Sequence, residues 1–178
     1  MKYLIASDLH GSIKALNAFL DRVEVEKPDK IVFLGDIYYH GPRNNLPDEY
    51  DPKAVCQKLN EIKDDLIVIK GNCDTEVDQM ISEFDFLPSV CLVVNGKTLF
   101  LTHGHIYNKD SLPKTNYDGI IYGHFHTGFV EKNGDILFAN AGSLSLPKAN
   151  TPKSYLVIDD SAVTLKNING EIIKSENY

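Results

Sequence analysis

Apolar residues alternate with polar ones, or run briefly unbroken, at 2–7, 30–35, 66–70, 90–95, 98–103, 119–123, 128–132, 136–139, 154–159 and 163–168. Their β-branched content predicts a short strand at each. Two stretches instead repeat at helical spacing. In "SIKALNAFLDRVEVE", Ser12 takes an N-cap position and Ile13, Leu16, Leu20 and Val23 fall on one stripe; in "DPKAVCQKLNEI", Pro52 opens the helix and Val55, Leu59 and Ile62 line up. The first half reads β-α-β-α-β. The second half reads as strands joined by turns in "VNGK", "KNGD" and "NINGE". Between them, "YYHGPRNNLPDEYDP" is too long and too rich in Pro, Asn and Gly for a plain connector, and is read as a substrate-side loop.

No internal repeat or linker interrupts the chain, and 178 residues at 43% hydrophobic content bury one sizeable core, so residues 1–178 are expected to form one domain. A net charge of −7 argues against a broad surface for nucleic acid or anionic lipid and favours a small substrate. The N-terminal apolar run meets Asp8 and His10 too soon for a signal peptide, and no stretch approaches the roughly 18 to 20 apolar residues that cross a bilayer. A soluble, cytosolic protein is expected. Cys56, Cys73 and Cys91 are odd in number and widely spaced, which fits reduced thiols; Cys56 and Cys91 read as packing residues.

The chemistry gathers where strands end. The first exits into Ser7-Asp8-Leu9-His10-Gly11, the second into Gly35-Asp36 and the third into Gly71-Asn72-Cys73-Asp74. Two later ones exit into Thr102-His103-Gly104-His105 and Gly123-His124-Phe125-His126. Carboxyl ends of strands in α/β sheets line ligand crevices, and glycine permits tight bends and close approach, so these groups are expected to converge. Mixed carboxylate, carboxamide and imidazole donors suit manganese, iron, cobalt, nickel or zinc and suit calcium poorly. Seven ligands exceed what one tetrahedral ion takes, whereas two ions about 3.5 to 4 Å apart, sharing a carboxylate, use them all. Such a centre retains positive charge and attracts phosphate.

Asp8-x-His10, Gly35-Asp36, Gly71-Asn72-x-Asp74, His103-Gly104-His105 and Gly123-His124-x-His126 resemble, in order and spacing, the motifs of the calcineurin-like metallophosphoesterases, and within them the small YfcE-type phosphodiesterases. The resemblance implies an α/β fold, a four-layer αββα sandwich of two mixed β-sheets flanked by helices. It implies that Asp8, His10 and His126 hold one divalent ion, that Asn72, His103 and His124 hold a second, and that Asp36 bridges them. Manganese stands first among the ions, with zinc, iron, nickel or cobalt as alternatives. The implied reaction is hydrolysis of a small phosphodiester by a metal-bridging hydroxide. Asp36, Asn72 and His105 are the expected catalytic residues, and "NAGS" at 140–143 resembles the family's small-residue loop near the site.

Many larger relatives carry histidine where this chain has Cys73; the YfcE-type branch resembles this chain in having cysteine there. A thiol is a poor leaving-group acid, so departure rests on a metal, on water or on His105. His40, Arg43 and Lys148 are placed near substrate by loop position alone, and for His40 a structural role is favoured. Tyr38, Tyr39 and Tyr122 read as wall and core. A second reading is a protein-binding scaffold like the small retromer subunit, with a vestigial site; a third is a phosphomonoesterase or nuclease using the same centre. Neither a membrane nor a broad nucleic-acid partner is expected, and homo-oligomerisation is left open.

Overall fold

The computed structural model describes all 178 residues. The first half alternates strand and helix: β1 (Tyr3–Ala6), α1 (Ile13–Glu26), β2 (Lys30–Phe33), α2 (Pro52–Glu61), β3 (Leu66–Ile69), α3 (Glu76–Ile81) and β4 (Phe86–Leu87). The second half is all strand: β5 (Val90–Val94), β6 (Lys97–Leu101), β7 (Gly119–Tyr122), β8 (Phe129–Asn133), β9 (Ile136–Asn140), β10 (Ser154–Ile158), β11 (Ala162–Asn167) and β12 (Ile172–Asn177). They form a seven-stranded sheet, β12-β11-β10-β1-β2-β3-β4, and a five-stranded sheet, β5-β6-β7-β9-β8. Both are mixed: β1, β2, β3 and β4 run parallel in the first and β6, β7 and β9 in the second, with antiparallel neighbours outside them. This is the expected α/β fold of two mixed sheets with flanking helices.

Strand alternation divides the core. Tyr3 and Ile5 of β1, Val32 of β2 and Leu156 and Ile158 of β10 face the other sheet, where Leu99, Leu101, Ile121, Leu137 and Ala139 meet them. Their neighbours Leu4, Ala6, Ile31, Phe33, Tyr155 and Val157 face the opposite way, onto Leu16 and Phe19 of α1 and Val55 and Leu59 of α2. Because successive side chains point to opposite faces, strands buried on both sides must be almost wholly apolar, as "YLIA" is and as "SYLVI" is after Ser154, whose hydroxyl donates to Ala141 O. The outer face of the five-stranded sheet carries a smaller cluster of Phe100, Ile120, Tyr122 and Phe138. It is covered by the connection after β6: Tyr117 packs on that cluster and Tyr107 meets Phe100 edge to face.

Both predicted helices form as read. Ser12 Oγ accepts from Ala15 N at the start of α1, and Asp51 caps α2 with Pro52 in its first turn. On α1 the fully buried side is Ala15, Leu16 and Phe19; Ile13, Leu20 and Val23 pack at its margin. Four elements have no counterpart in the predicted set: a single 3₁₀ turn at Lys63–Asp65, β4 with two residues, α3 with six, and β12, whose "IIKSEN" does not alternate. Cys91 corrects an expectation, since on edge strand β5 it points outward and is exposed rather than packed. No helix is long and apolar enough to cross a membrane.

Glu26, the last residue of α1, ties the helix to the sheet. Its carboxylate accepts from Lys166 Nζ (2.6 Å), Lys2 Nζ (3.1 Å) and Tyr155 Oη (3.1 Å), and its side chain is only 10% exposed. Burial alone would raise its pKa, but Lys166 and Lys2 outweigh burial and hold it below its ordinary 4.5. We expect Glu26→Gln to cost about 1–2 kcal/mol at pH 7, a drop of a few degrees in Tm. A depressed carboxylate stabilises fully above its unfolded pKa and loses that contribution as pH falls through the folded value. The deficit, measured by denaturant unfolding, should therefore shrink well below pH 4.5.

Candidate functional site

The ends of the parallel strands from both sheets meet at one edge. The turns after β1 and β2 are laced together by Asp8 N to Gly35 O (3.1 Å), His10 N to Asp36 O (2.9 Å) and Gly11 N to Ile37 O (2.8 Å). The turn after β7 joins them through His124 N to Asp8 Oδ2 (2.8 Å), and to the turn after β6 through Gly123 N to His103 O (2.8 Å). Two glycines make the approach possible. A side chain at Gly71 would collide with the Asp36 carboxylate, and one at Gly123 with Ser7 and Asp8.

Inside this edge, Asp8 Oδ1 lies 3.1 Å from His126 Nε2 and 3.6 Å from His10 Nε2. The Asp36 oxygens face two ways: Oδ2 lies 3.8 Å from His10 Nε2 and Oδ1 lies 3.4 Å from His103 Nε2. Asn72 Oδ1 sits 3.1 Å from that same His103 nitrogen. His124 stands at the margin, its ring centroid 5.1 Å from that of His103. Asp8, His10, Asp36, His103 and His126 are almost wholly buried, whereas Asn72 is exposed.

The three buried imidazoles are oriented alike. His10 Nδ1 donates to Tyr39 O (2.7 Å), His103 Nδ1 to Leu34 O (2.7 Å) and His126 Nδ1 to Leu146 O (2.6 Å). A ring that donates through Nδ1 presents Nε2 as a lone pair when neutral. His10 and His126 thus aim Nε2 atoms at each other across 3.2 Å and both toward Asp8 Oδ1, a buried oxygen with no hydrogen-bond donor. Lone pairs converging on lone pairs in a dry pocket are unfavourable unless positive charge lies between them, so the donor set fits divalent cations of the borderline kind.

The ionisation equilibria follow from this crowding. Burial opposes the charge on Asp8 and Asp36, but the imidazoles of His10 and His126 for the first, and His103 for the second, hold both carboxyls below the usual range. His103 is pushed up to about 9, its burial outweighed by Asp36 and Asp8. His124 is driven down to about 4 by burial and by His103. Without a cation, imidazolium supplies the positive charge that the carboxylates require.

Backbone strain is concentrated in the same place. Asp8 (φ 55°), His10 (φ 51°), Asp36 (φ 56°), His124 (φ 65°) and His126 (φ 60°) are all left-handed, a conformation that costs most L-residues about 1–2 kcal/mol. They lie two to four residues beyond the ends of β1, β2 and β7. Buried polar groups hold these turns. The Asp74 carboxylate accepts from Asp36 N (2.8 Å), Ile37 N (2.9 Å) and Gly71 N (2.7 Å), while Ser143 Oγ (2.7 Å) and Ser145 Oγ (3.0 Å) both donate to Asp8 O. Asp74 and Ser145 are absent from the predicted site residues. Asp74 was visible only as the last position of the third motif, and nothing in the sequence marked Ser145.

A cleft of about 740 Å³ opens over the cluster, lined by His10, Asp36, Asn72, Cys73, His124 and His126 and, from the 38–52 loop and the far rim, by Arg43 and Lys148. His40 lies outside it, packed edge to face between Tyr39 and Tyr50, in keeping with its structural reading. His105 is exposed beside the cluster, its ring centroid 5.4 Å from that of His103. Tyr38 and Tyr122 are core, and Tyr39 walls the cleft. The Cys73 thiol is pushed up to about 12, by burial first and then by Asp36.

A model of the calcineurin-like phosphoesterase superfamily domain matches residues 1–162. The chain is 39% identical over 175 residues to phosphodiesterase YfcE of Escherichia coli K12, covering 97% of this chain and 95% of that protein. A solved structure of E. coli YfcE, described as a phosphoesterase, superposes with a TM-score of 0.95 at 38% identity, covering 99% of both chains. Vps29 of Cryptosporidium parvum superposes at 0.64 with 17% identity over 99% of this chain and 98% of its own, a likeness of fold alone.

Titrating Mn²⁺ into EDTA-treated protein should raise Tm by mass action, and Asp8→Asn should abolish the rise. Because the ion displaces protons from His103 and its neighbours, apparent affinity should strengthen as pH rises from about 6 toward 9, with proton release in calorimetry.

Proposed function

Because the chain belongs to the calcineurin-like phosphoesterase superfamily, we propose that it is a metal-dependent phosphodiesterase with a binuclear centre. The observation that carries this reading is the Asp36 carboxylate, whose oxygens address His10 on one side and His103 on the other. Asp8, His10 and His126 would hold one ion, and Asn72, His103 and His124 the other, with Asp36 shared. Ligand softness admits manganese, zinc, iron, nickel and cobalt alike, and manganese is put first on the family resemblance rather than on the ligand set. Bound divalent ions supply a hydrolytic nucleophile by lowering the pKa of water, and they neutralise charge on the phosphate.

The chain's own residues do the positioning. The carbonyls of Tyr39, Leu34 and Leu146 fix the ring orientations, and Asp74 with Ser143 and Ser145 fixes the backbone that carries the two aspartates. Arg43 and Lys148 at the rim have no carboxylate partner and are placed to meet the anionic ester. His105, expected to be catalytic, stands beside the cluster at a ring distance of 5.4 Å from His103 but does not line the cleft.

No side chain is a ready acid for the leaving group. Cys73 holds its proton too tightly, and the pKa values of His105 and His124 are lowered, by burial first and then by His103. Departure therefore rests on a metal, on water and on the leaving group's own stability rather than on a side-chain acid.

The scaffold reading has the fold likeness to Vps29 behind it, but the 39% identity to a phosphodiesterase and a competent donor at every proposed ligand position favour the enzyme. The two sheets share one apolar core, which supports treating residues 1–178 as one domain.

With Mn²⁺ present, Asp36→Asn should lower kcat on bis(p-nitrophenyl) phosphate by at least about 10²-fold. Unchanged turnover would rule the scheme out. Across a series of diesters, rates should fall steeply as the leaving group becomes more basic; a flat dependence would reveal an acid that this reading lacks.

A further inference from the structure

A second cavity, of about 570 Å³, lies next to the metal cleft, between the 38–52 loop, α2 and α3. Tyr39 lines both, so the two hollows share one wall. The recess is also tied to the metal-binding turn. Tyr39 O accepts from His10 Nδ1, and the ring of Tyr50, another recess wall, lies so close to Gly11 that a Cβ there would meet it at 2.6 Å. A group bound in the recess thus sits against the segment that carries His10.

The walls have a definite chemistry. Tyr39, Tyr50 and Pro52 present apolar surface, with buried Tyr38 beside them, and the volume lies within the range of small-ligand sites, about 300–1,000 Å³. Several polar groups at the recess are already satisfied. Tyr38 Oη bonds Ser82 Oγ (2.7 Å), Cys56 Sγ bonds Ile81 O (3.3 Å), and Asn60 is held by Ile81 O and Glu83 N. Lys53 and Gln57, exposed on the first turns of α2, have no protein hydrogen-bond partner and stand at the recess with donors and an acceptor to offer. Aromatic walls with an amide, a cation and the Asp78 carboxylate at the edge suit a planar, uncharged heterocycle that carries both donors and acceptors. An aliphatic chain would not use the polar edge, and an extended polynucleotide would need a basic groove that a chain of net charge −7 does not present.

We propose that this recess receives the organic arm of the substrate that does not leave, and that this arm is a nucleoside, its base against Tyr39 and Tyr50 and its edge read by Gln57 and Lys53. The proposal rests on the phosphodiesterase reading above and narrows it, from diesters in general to small nucleotide esters.

Three diesters sharing one leaving group isolate the arm: the p-nitrophenyl esters of methyl phosphate, hexyl phosphate and thymidine 5′-phosphate. Each would be hydrolysed with Mn²⁺ by the wild-type protein and by Gln57→Trp, which crowds the recess from an exposed helical position. The expected result is a kcat/KM for the thymidine ester about tenfold or more above that of the methyl ester, the scale of one base–aromatic stack, with most of this ratio lost in Gln57→Trp. Equal kcat/KM for the methyl and thymidine esters, a ratio unchanged in Gln57→Trp, or a preference for the hexyl ester would overturn the nucleoside assignment while leaving the phosphodiesterase reading intact. Turnover of none of the three would instead overturn that reading and the recess proposal with it.

Discussion

The site is governed by a shortage of positive charge. Two buried carboxylates, Asp8 and Asp36, and the Nε2 atoms of His10, His103 and His126 crowd together within a few ångströms, and backbone carbonyls take up the proton each ring has to offer at Nδ1. Burial magnifies the imbalance, because water cannot screen it. Protonated imidazoles answer it in part, which is why His103 holds its proton so tightly. Divalent cations would answer it more fully, and the same excess of charge then makes the site attractive to a phosphate ester.

Such crowding is tolerated only because the scaffold is over-determined around it. Parallel strands from two sheets end at one edge, five left-handed residues follow β1, β2 and β7, and the glycines at 71 and 123 remove side chains that would otherwise fill the space. Asp74 is a buried carboxylate spent entirely on three backbone N–H groups, and it joins the turn after β2 to the turn after β3. Ser143 and Ser145 do the same for the turn after β1 from across the sheet interface. Strain of this kind persists where the surroundings fix the geometry in advance of ligand binding.

Much of this was legible in the chain itself. Apolar runs such as "YLIA" and "GIIY" announce strands buried on both faces, and each stops where an aspartate, asparagine or histidine sits next to glycine. Ser12 and Pro52 marked both long helices correctly. Elements too short or too irregular for a period were not legible: β4 and α3 carry fewer residues than a pattern requires, and β12 is an edge strand that buries little. Nor could the pattern tell that Cys91 faces outward, since alternation fixes which residues share a face but not which face meets the core. Asp74 was hidden for a different reason. Its work is done on backbone amides of residues nearly forty positions away, and no local spacing encodes that.

Anomalous diffraction from crystals grown with Mn²⁺ would test the two-cation claim most directly. The account predicts two manganese peaks about 3.5 to 4 Å apart, one beside Asp8 and His126, the other beside His103 and Asn72, with Asp36 between them. A single peak, or manganese bound away from Asp36, would contradict it.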